Sequence, residues 1–139
     1  MKLALQPIVA RLIAAGAKSA EGVVEFAGQV EAPRALPAYF VIPTRERAEP
    51  NGYAGARDQA VTVEFGVVVV IAGAARRGAQ VSDELEAART LAGDALTGWT
   101  HPQAAAATDY AGGELLSTTG GLVMWLMRFA TRYHERKPT

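Results

Sequence analysis

The sequence contains no cysteine and only two histidines, His101 and His134. The absence of cysteine excludes disulfide bonds and thiolate-bound metal sites. His101 precedes a proline in a predicted loop, and His134 lies in a charged terminal segment. Neither has a carboxylate or a second histidine at a spacing typical of metal sites, so we expect no metal and no cofactor.

An excess of charge of one sign is also missing, because 14 basic residues balance 14 acidic ones. No overall basicity therefore favours nucleic-acid binding, and a net charge near zero is compatible with self-association. No apolar run approaches the length that spans a bilayer, and Arg11 interrupts the apolar N-terminal stretch. We predict a soluble protein that does not contact membranes.

Catalytic motifs are lacking as well. No G-x-S-x-G sequence occurs, and neither Gly112-Gly113 nor Gly120-Gly121 has the spacing or the following helix of a phosphate-binding loop. Glu64 and Glu114 are a conceivable carboxylate pair, although Glu64 also suits the solvated end of a strand. We predict no catalytic residue and no enzymatic activity.

The segment 59–73 is the longest apolar pattern in the chain, and it alternates with a period of two. Such alternation, rich in β-branched residues, predicts a strand. Thr62 and Glu64 indicate a solvated first half, whereas the second half is apolar on both sides, as in a strand covered on both faces. The predicted core face comprises Val61, Val63, Phe65, Val67, Val69 and Ile71.

Two helices are predicted from apolar stripes. The first covers about residues 3–17, with Pro7 in its first turn and Gly16 at its end. The second begins at the N-cap Ser82, carries Asp83 and Glu84 in its first turn, and ends before Gly98.

Other strands are predicted at Ala38–Ile42, ended by Pro43, at Glu114–Thr118 and at Leu122–Tyr133, whose core face includes Trp125 and Phe129. The segment 134–139 is predicted to be a fraying charged tail. Residues 19–33 fit a short helix or, in part, a strand, and we favour the helix.

These elements predict one domain over residues 1–139, of the α+β class. It combines a mainly antiparallel sheet of about four strands with two helices on one face and a long polar hairpin arm. The arm is residues 44–58, predicted as a loop of about fifteen residues. It is either a floppy hairpin tip or an arm that binds a partner.

If the arm binds a partner, its charged and aromatic residues are candidate interface residues. Two further basic sites supply other candidates. One of these sites is a polar turn over residues 74–80 and the other is the basic end of the last strand, which suits an acidic neighbour as well as plain solvation. The candidates are Arg45, Glu46, Arg47, Tyr53 and Arg57 on the arm, Arg76 and Arg77 in the turn, and Arg128 and Arg132 on the last strand.

Several weak motifs occur together in a fixed order. They are the helix pattern Ile8-Val9-x-x-Leu12, then Pro37-Ala38-x-x-Val41-x-Pro43, the valine strand after Gln59, Leu96-x-Gly98-Trp99 with Pro102, Tyr110-x-Gly112-Gly113-x-Leu115, and Trp125-x-x-x-Phe129-x-Thr131. Together they resemble the tail terminator proteins of long-tailed bacteriophages. Thr100 and His101 lengthen the step between the tryptophan and the proline relative to the expected pattern.

The resemblance implies a structural virion protein of the tail-neck region that assembles in the host cytoplasm. It implies a ring of identical subunits, a hexamer, that caps the tail tube, stops its polymerisation and joins the head connector or neck protein. DNA passing through the ring would be contacted, if at all, through phosphates only.

The residues are also compatible with two other functional classes. One is another neck, head-to-tail joining or tail-completion subunit, which has similar composition and fold. The other is a small α+β enzyme or ligand-binding domain, which would show a deep pocket with a titratable residue of shifted pKa.

Overall fold

The computed structural model describes residues 3–22, 35–52, 56–73 and 78–138. The helices are α1 (Gln6–Ala14) and α2 (Gly78–Leu96), and the strands are β1 (Ala20–Glu21), β2 (Ala38–Ala48), β3 (Ala56–Ala72), β4 (Asp109–Ser117) and β5 (Leu122–Pro138), with a 3₁₀ turn at Thr119–Gly121 before β5. The strands form one sheet in the order β1-β2-β3-β5-β4. All neighbours are antiparallel except β1 and β2. The α+β class is confirmed, with five strands in a mixed sheet.

β3 lies at the centre of the sheet and pairs with β5 from Ala56 to Ala72. Its odd-numbered side chains form the predicted core face, since Val61 is 5 % exposed and the other five are fully buried. Val67 lies between Val41 of β2 and Met127 of β5. Trp125, on the same face of β5, is partly buried against this core.

Both helices pack on the odd face of β3, as predicted. The main cluster joins three side chains of α1 (Ile8, Val9, Leu12) and four of α2 (Ala88, Ala92, Ala95, Leu96) to the strands. Small residues on α2 allow its backbone to approach the sheet. Ile13 of α1 is not part of this cluster and is 52 % exposed.

A second apolar cluster lies on the opposite face of the sheet. It contains Ala38, Phe40, Val68, Val70 and Leu126. The second half of β3 is therefore buried on both faces, as its unbroken valine run predicted.

The start of α2 was predicted wrongly. The helix begins at Gly78, so Ser82 lies inside it and is not its N-cap, and Asp83 and Glu84 are not in its first turn. Val81 packs against the main cluster, which favours an additional helical turn before Ser82.

The prediction of a loop over residues 44–58 is also wrong at both ends, because strand replaces loop there. β2 continues through Pro43 to Ala48, with a register shift between Pro43 and Arg45. A proline is tolerated there because β1 pairs only with Tyr39 and Phe40, which leaves β2 at the sheet edge within the described part of the chain. β3 in turn begins at Ala56.

The predicted fraying tail is strand instead, because β5 pairs with β3 as far as Pro138 opposite Ala56. β4 also begins earlier than predicted, at Asp109. Within residues 19–33, Ala20–Glu21 is strand rather than helix, and residues 23–34 lie outside the described segments.

The substitution Val67→Asp is expected to prevent folding. It places an unpaired carboxylate in the main cluster. The free energy needed to bury this charge is on the order of the whole free energy of unfolding of a small domain. Far-UV circular dichroism and soluble yield measure the effect. Thr62→Asp, at an exposed position of the same strand, should fold normally, and a folded Val67→Asp protein would contradict the assignment of faces.

Candidate assembly interface

The predicted arm at residues 44–58 belongs to a larger ribbon, formed by the ends of β2, β3 and β5 beyond the helix-covered cluster. From here on, the arm means the described residues of this ribbon, 44–52, 56–63 and 131–138. Side-chain hydrogen bonds join the segment after β2 to the start of β3. The amide of Asp58 donates to Asn51 Oδ1 at 2.8 Å, and Gln59 Nε2 donates to the carbonyl of Glu49 at 3.0 Å. The arm predicted from sequence is thus a hydrogen-bonded ribbon.

The helix-side face of the arm is anchored at its base by a small apolar cluster of Leu3, Val61, Val63 and Tyr133. Tyr133 Oη donates to Glu46 Oε1 at 2.5 Å, which ties β5 to β2 across β3. Glu46, a candidate interface residue, therefore makes a contact within its own chain.

His101 supports the same region and was missed by the sequence analysis. Its ring is fully buried. Nε2 donates to the carbonyl of Ala4 at 2.7 Å, while Nδ1 accepts from the amide of Gln103 at 2.9 Å. His101 joins the N-terminal segment to the loop after α2, a role that no local pattern marks.

The opposite face of the arm carries exposed arginines. Arg45 and Arg47 of β2, with Thr62 and Glu64 of β3, line a shallow pocket of about 200 Å³. Arg132 lies opposite Thr62 on β5 and is also exposed. Arg47 is 4.0 Å from Glu49 and its side chain is 73 % exposed, so its charge is available to a partner.

Arg128 differs from these arginines because two carboxylates surround it. Its Nε lies 3.5 Å from Glu64, and its guanidinium also pairs with Glu114. The possible carboxylate pair from the sequence is therefore an ion-pair network on the sheet surface. Arg128 has much of its charge compensated within the chain.

A second charged group lies near the arm tip. His134 Nδ1 donates to Asp58 Oδ1 at 2.8 Å, and Arg136 Nε is 3.5 Å from Asp58 Oδ2. The hydrogen bond from His134, aided by the charge of Arg136, outweighs desolvation and lowers the pKa of Asp58 below its ordinary value.

The opposite margin of the sheet is β4, which the sequence analysis did not select. Tyr110, Leu115 and Leu116 are 41 %, 52 % and 44 % exposed. Leu115-Leu116 was the available signal, since neighbouring residues of a strand point to opposite faces and an edge strand buries neither fully.

An open groove of about 410 Å³ separates α2 from β4 and includes Asp94 and Tyr110 in its lining. Arg89 of α2 lies over the ring of Trp125, 4.7 Å from its centroid. Arg89 Nε and Trp125 Nε1 are buried without a hydrogen-bond acceptor.

Three candidate residues, Tyr53, Arg76 and Arg77, lie outside the described segments. Arg57 is on the arm and exposed. Among the residues that the structure describes, no cluster of His, Asp or Glu has the geometry of a metal site. No helix in these segments is long and apolar enough to cross a membrane.

A family model of the phage tail terminator protein matches residues 1–139. The chain belongs to the phage tail terminator family. The resemblance inferred from the sequence motifs is thereby confirmed. This terminator is a structural component of a phage tail and not an enzyme.

One solved structure similar to this terminator is a chain in the virion of a native gene transfer agent particle. The two are 15 % identical, with a TM-score of 0.55 over 89 % of this chain and 84 % of that one. This likeness shows a shared fold. No protein with a curated description matches the terminator sequence.

The pair of Asp58 and His134 predicts an acid-dependent contribution to terminator stability. Because folding lowers the pKa of Asp58, this contribution is present above the ordinary carboxyl pKa and is lost as pH falls through the folded-state value. Denaturant midpoints measured from neutral to acidic pH should fall more steeply for the wild type than for Asp58→Asn. Asp83→Asn, which removes an exposed carboxylate of α2, should keep the wild-type slope, and equal slopes for Asp58→Asn and wild type would contradict the prediction.

Proposed function

We propose that the protein forms a ring of identical subunits, a hexamer, that caps the phage tail tube. Covering the last layer of the tube stops its polymerisation, and the other side of the ring presents a surface to the head connector or neck protein. Membership of the terminator family supports this function. The supporting observation in the structure is that one sheet carries two different exposed margins, the basic arm and the apolar edge of β4.

Two unlike surfaces suit a ring for a geometrical reason. A cyclic assembly of more than two subunits uses heterologous contacts, in which one patch of each subunit binds a different patch of the next. A single self-complementary patch would give only a dimer. Strand edges supply such contacts through main-chain hydrogen bonds.

The candidate interface residues differ in what the structure shows of their surroundings. Arg45, Arg47, Arg57 and Arg132 are exposed on the arm, and we assign them to neighbouring subunits, the tube or the connector. Tyr53, Arg76 and Arg77 remain candidates for the same surfaces. Any arginine lining the ring would contact passing DNA through phosphates, without sequence recognition.

The first test is direct. Purified protein should form rings in negative-stain images and a hexamer mass by light scattering. A phage lacking the gene should make overlong tails, because nothing covers the growing tube. Tails of normal length that fail to join heads would contradict tube capping and indicate a joining subunit.

The second test concerns the arm. Replacing residues 49–60 with Asn-Gly joins Ala48 to Val61, which are paired in the sheet, through a two-residue turn. The variant should fold but assemble more weakly than the wild type, because it lacks the arm tip while it keeps residues 43–48 of β2. Circular dichroism reports its fold and light scattering its mass, and a ring as stable as that of the wild type would remove the arm tip from the interface.

A further inference from the structure

We propose that β4 receives the exposed edge of β2 from a second copy of the chain, so that the sheet continues from one subunit to the next. This inference rests on the ring proposed above and names the two surfaces that join. The arm edge is the segment 43–48 of β2. The β4 surface is Asp109, Tyr110, Leu115 and Leu116, with Asp94 of α2 beside them.

The topology makes this pairing regular. β2 and β4 are separated by β3 and β5, and each neighbouring pair is antiparallel. β2 and β4 therefore run in opposite directions. A second copy in the same orientation beside β4 brings its β2 there as an antiparallel strand, as elsewhere in this part of the sheet.

Both edges are accessible in the described part of the chain. β1 pairs with β2 only at Tyr39 and Phe40, and residues 43–48 are exposed. β4 pairs with β5 on one side and is the last strand on the other. Exposed strand edges of this kind are the surfaces that strand addition uses.

Charges on the sheet faces match across this junction. Asp109 is opposite Ala130, Ala130 is opposite Glu64, and Glu64 is opposite Arg45. Residues directly opposite in a sheet share a face, so Asp109 lies on the face that carries Arg45 and Arg47. A sheet that continues with its faces preserved brings these arginines towards Asp109 of the next copy.

The helix-side face also carries an acidic group at this margin, since Asp94 of α2 lines the groove beside β4. Arg45 and Arg47 at the β2 margin, and Asp94 and Asp109 at the β4 margin, thus lie on opposite sides of a chain whose net charge is zero. This separation favours head-to-tail contact between copies.

The β4 surface also has the composition of an interface centre. Tyr110, Leu115 and Leu116 are exposed along one edge strand, and a strand that adds beside them would cover apolar side chains on both faces.

A symmetrical contact between two β4 strands fits less well. In an antiparallel β4–β4 pair centred on Gly112, Asp109 of one copy would lie opposite Glu114 of the other, and both are on the face of Arg128. Like charges placed opposite each other destabilise a strand pair. The arm edge, which carries arginines on that face, is the better partner.

A charge exchange tests the proposal. The arm variant is Arg45→Glu with Arg47→Glu, and the β4 variant is Asp94→Lys with Asp109→Lys. Each variant alone sets like charges at the junction and should assemble about 100-fold more weakly than the wild type, since every 1.4 kcal/mol is tenfold. Lys18→Glu and Asp83→Lys, at exposed positions elsewhere, should assemble normally.

Mixing the two variants is the decisive measurement. The acidic arm of one then meets the basic β4 surface of the other, and the unaltered surfaces also match, so rings should form again. Native mass spectrometry should show equal numbers of the two variants in each ring. Circular dichroism of each variant before mixing establishes that both are folded.

The outcomes separate the two proposals. Wild-type rings with unaffected variants, or a mixture that stays monomeric, would overturn the pairing of β2 with β4 and leave the ring intact. A wild type that stays monomeric at every concentration would overturn the ring and the pairing together. Variants that fail alone and assemble alternately when mixed support both.

Discussion

The pairing of β3 with strands on both sides is the interaction on which the rest of the structure depends. Its whole length is matched by β5, and most of it by β2, so its backbone groups are hydrogen-bonded inside the sheet. This pairing allows the valine-rich half to be buried on both faces, where each large side chain contributes roughly 1.5–3 kcal/mol before entropy. Helices, arm and edge strand are arranged around this ladder.

The same ladder decides what each polar residue can do. β3 and β5 run on beyond the helices, which carries exposed arginines away from the core while Tyr133 and Glu46 hold the ribbon together. Arg128 has the same charge as Arg132, yet it lies between Glu64 and Glu114 and is engaged within the chain. Register, rather than residue type, separates a structural arginine from one available to a partner.

A tail component acts through contacts with other copies and other proteins, and the terminator has the corresponding features. Its described pockets are open grooves on the surface, while its sheet exposes two margins of unlike chemistry. A basic ribbon at one margin and an apolar, acid-flanked strand at the other are what repeated association in one direction requires.

The sequence by itself determined the central strand and its core face, the two helices, the α+β class and the terminator family. These follow from local periodicity and short motifs, which need no knowledge of distant residues. Only the tertiary structure decided the length of the arm, the strand formed by residues 134–138, the buried position of His101 and the exposed edge of β4. Charged segments such as 44–48 and 134–138 have weak local preference for a strand, and they become strands because β3 lies beside them. Pairing between residues distant along the chain is decided by the assembled sheet, and no local pattern records it.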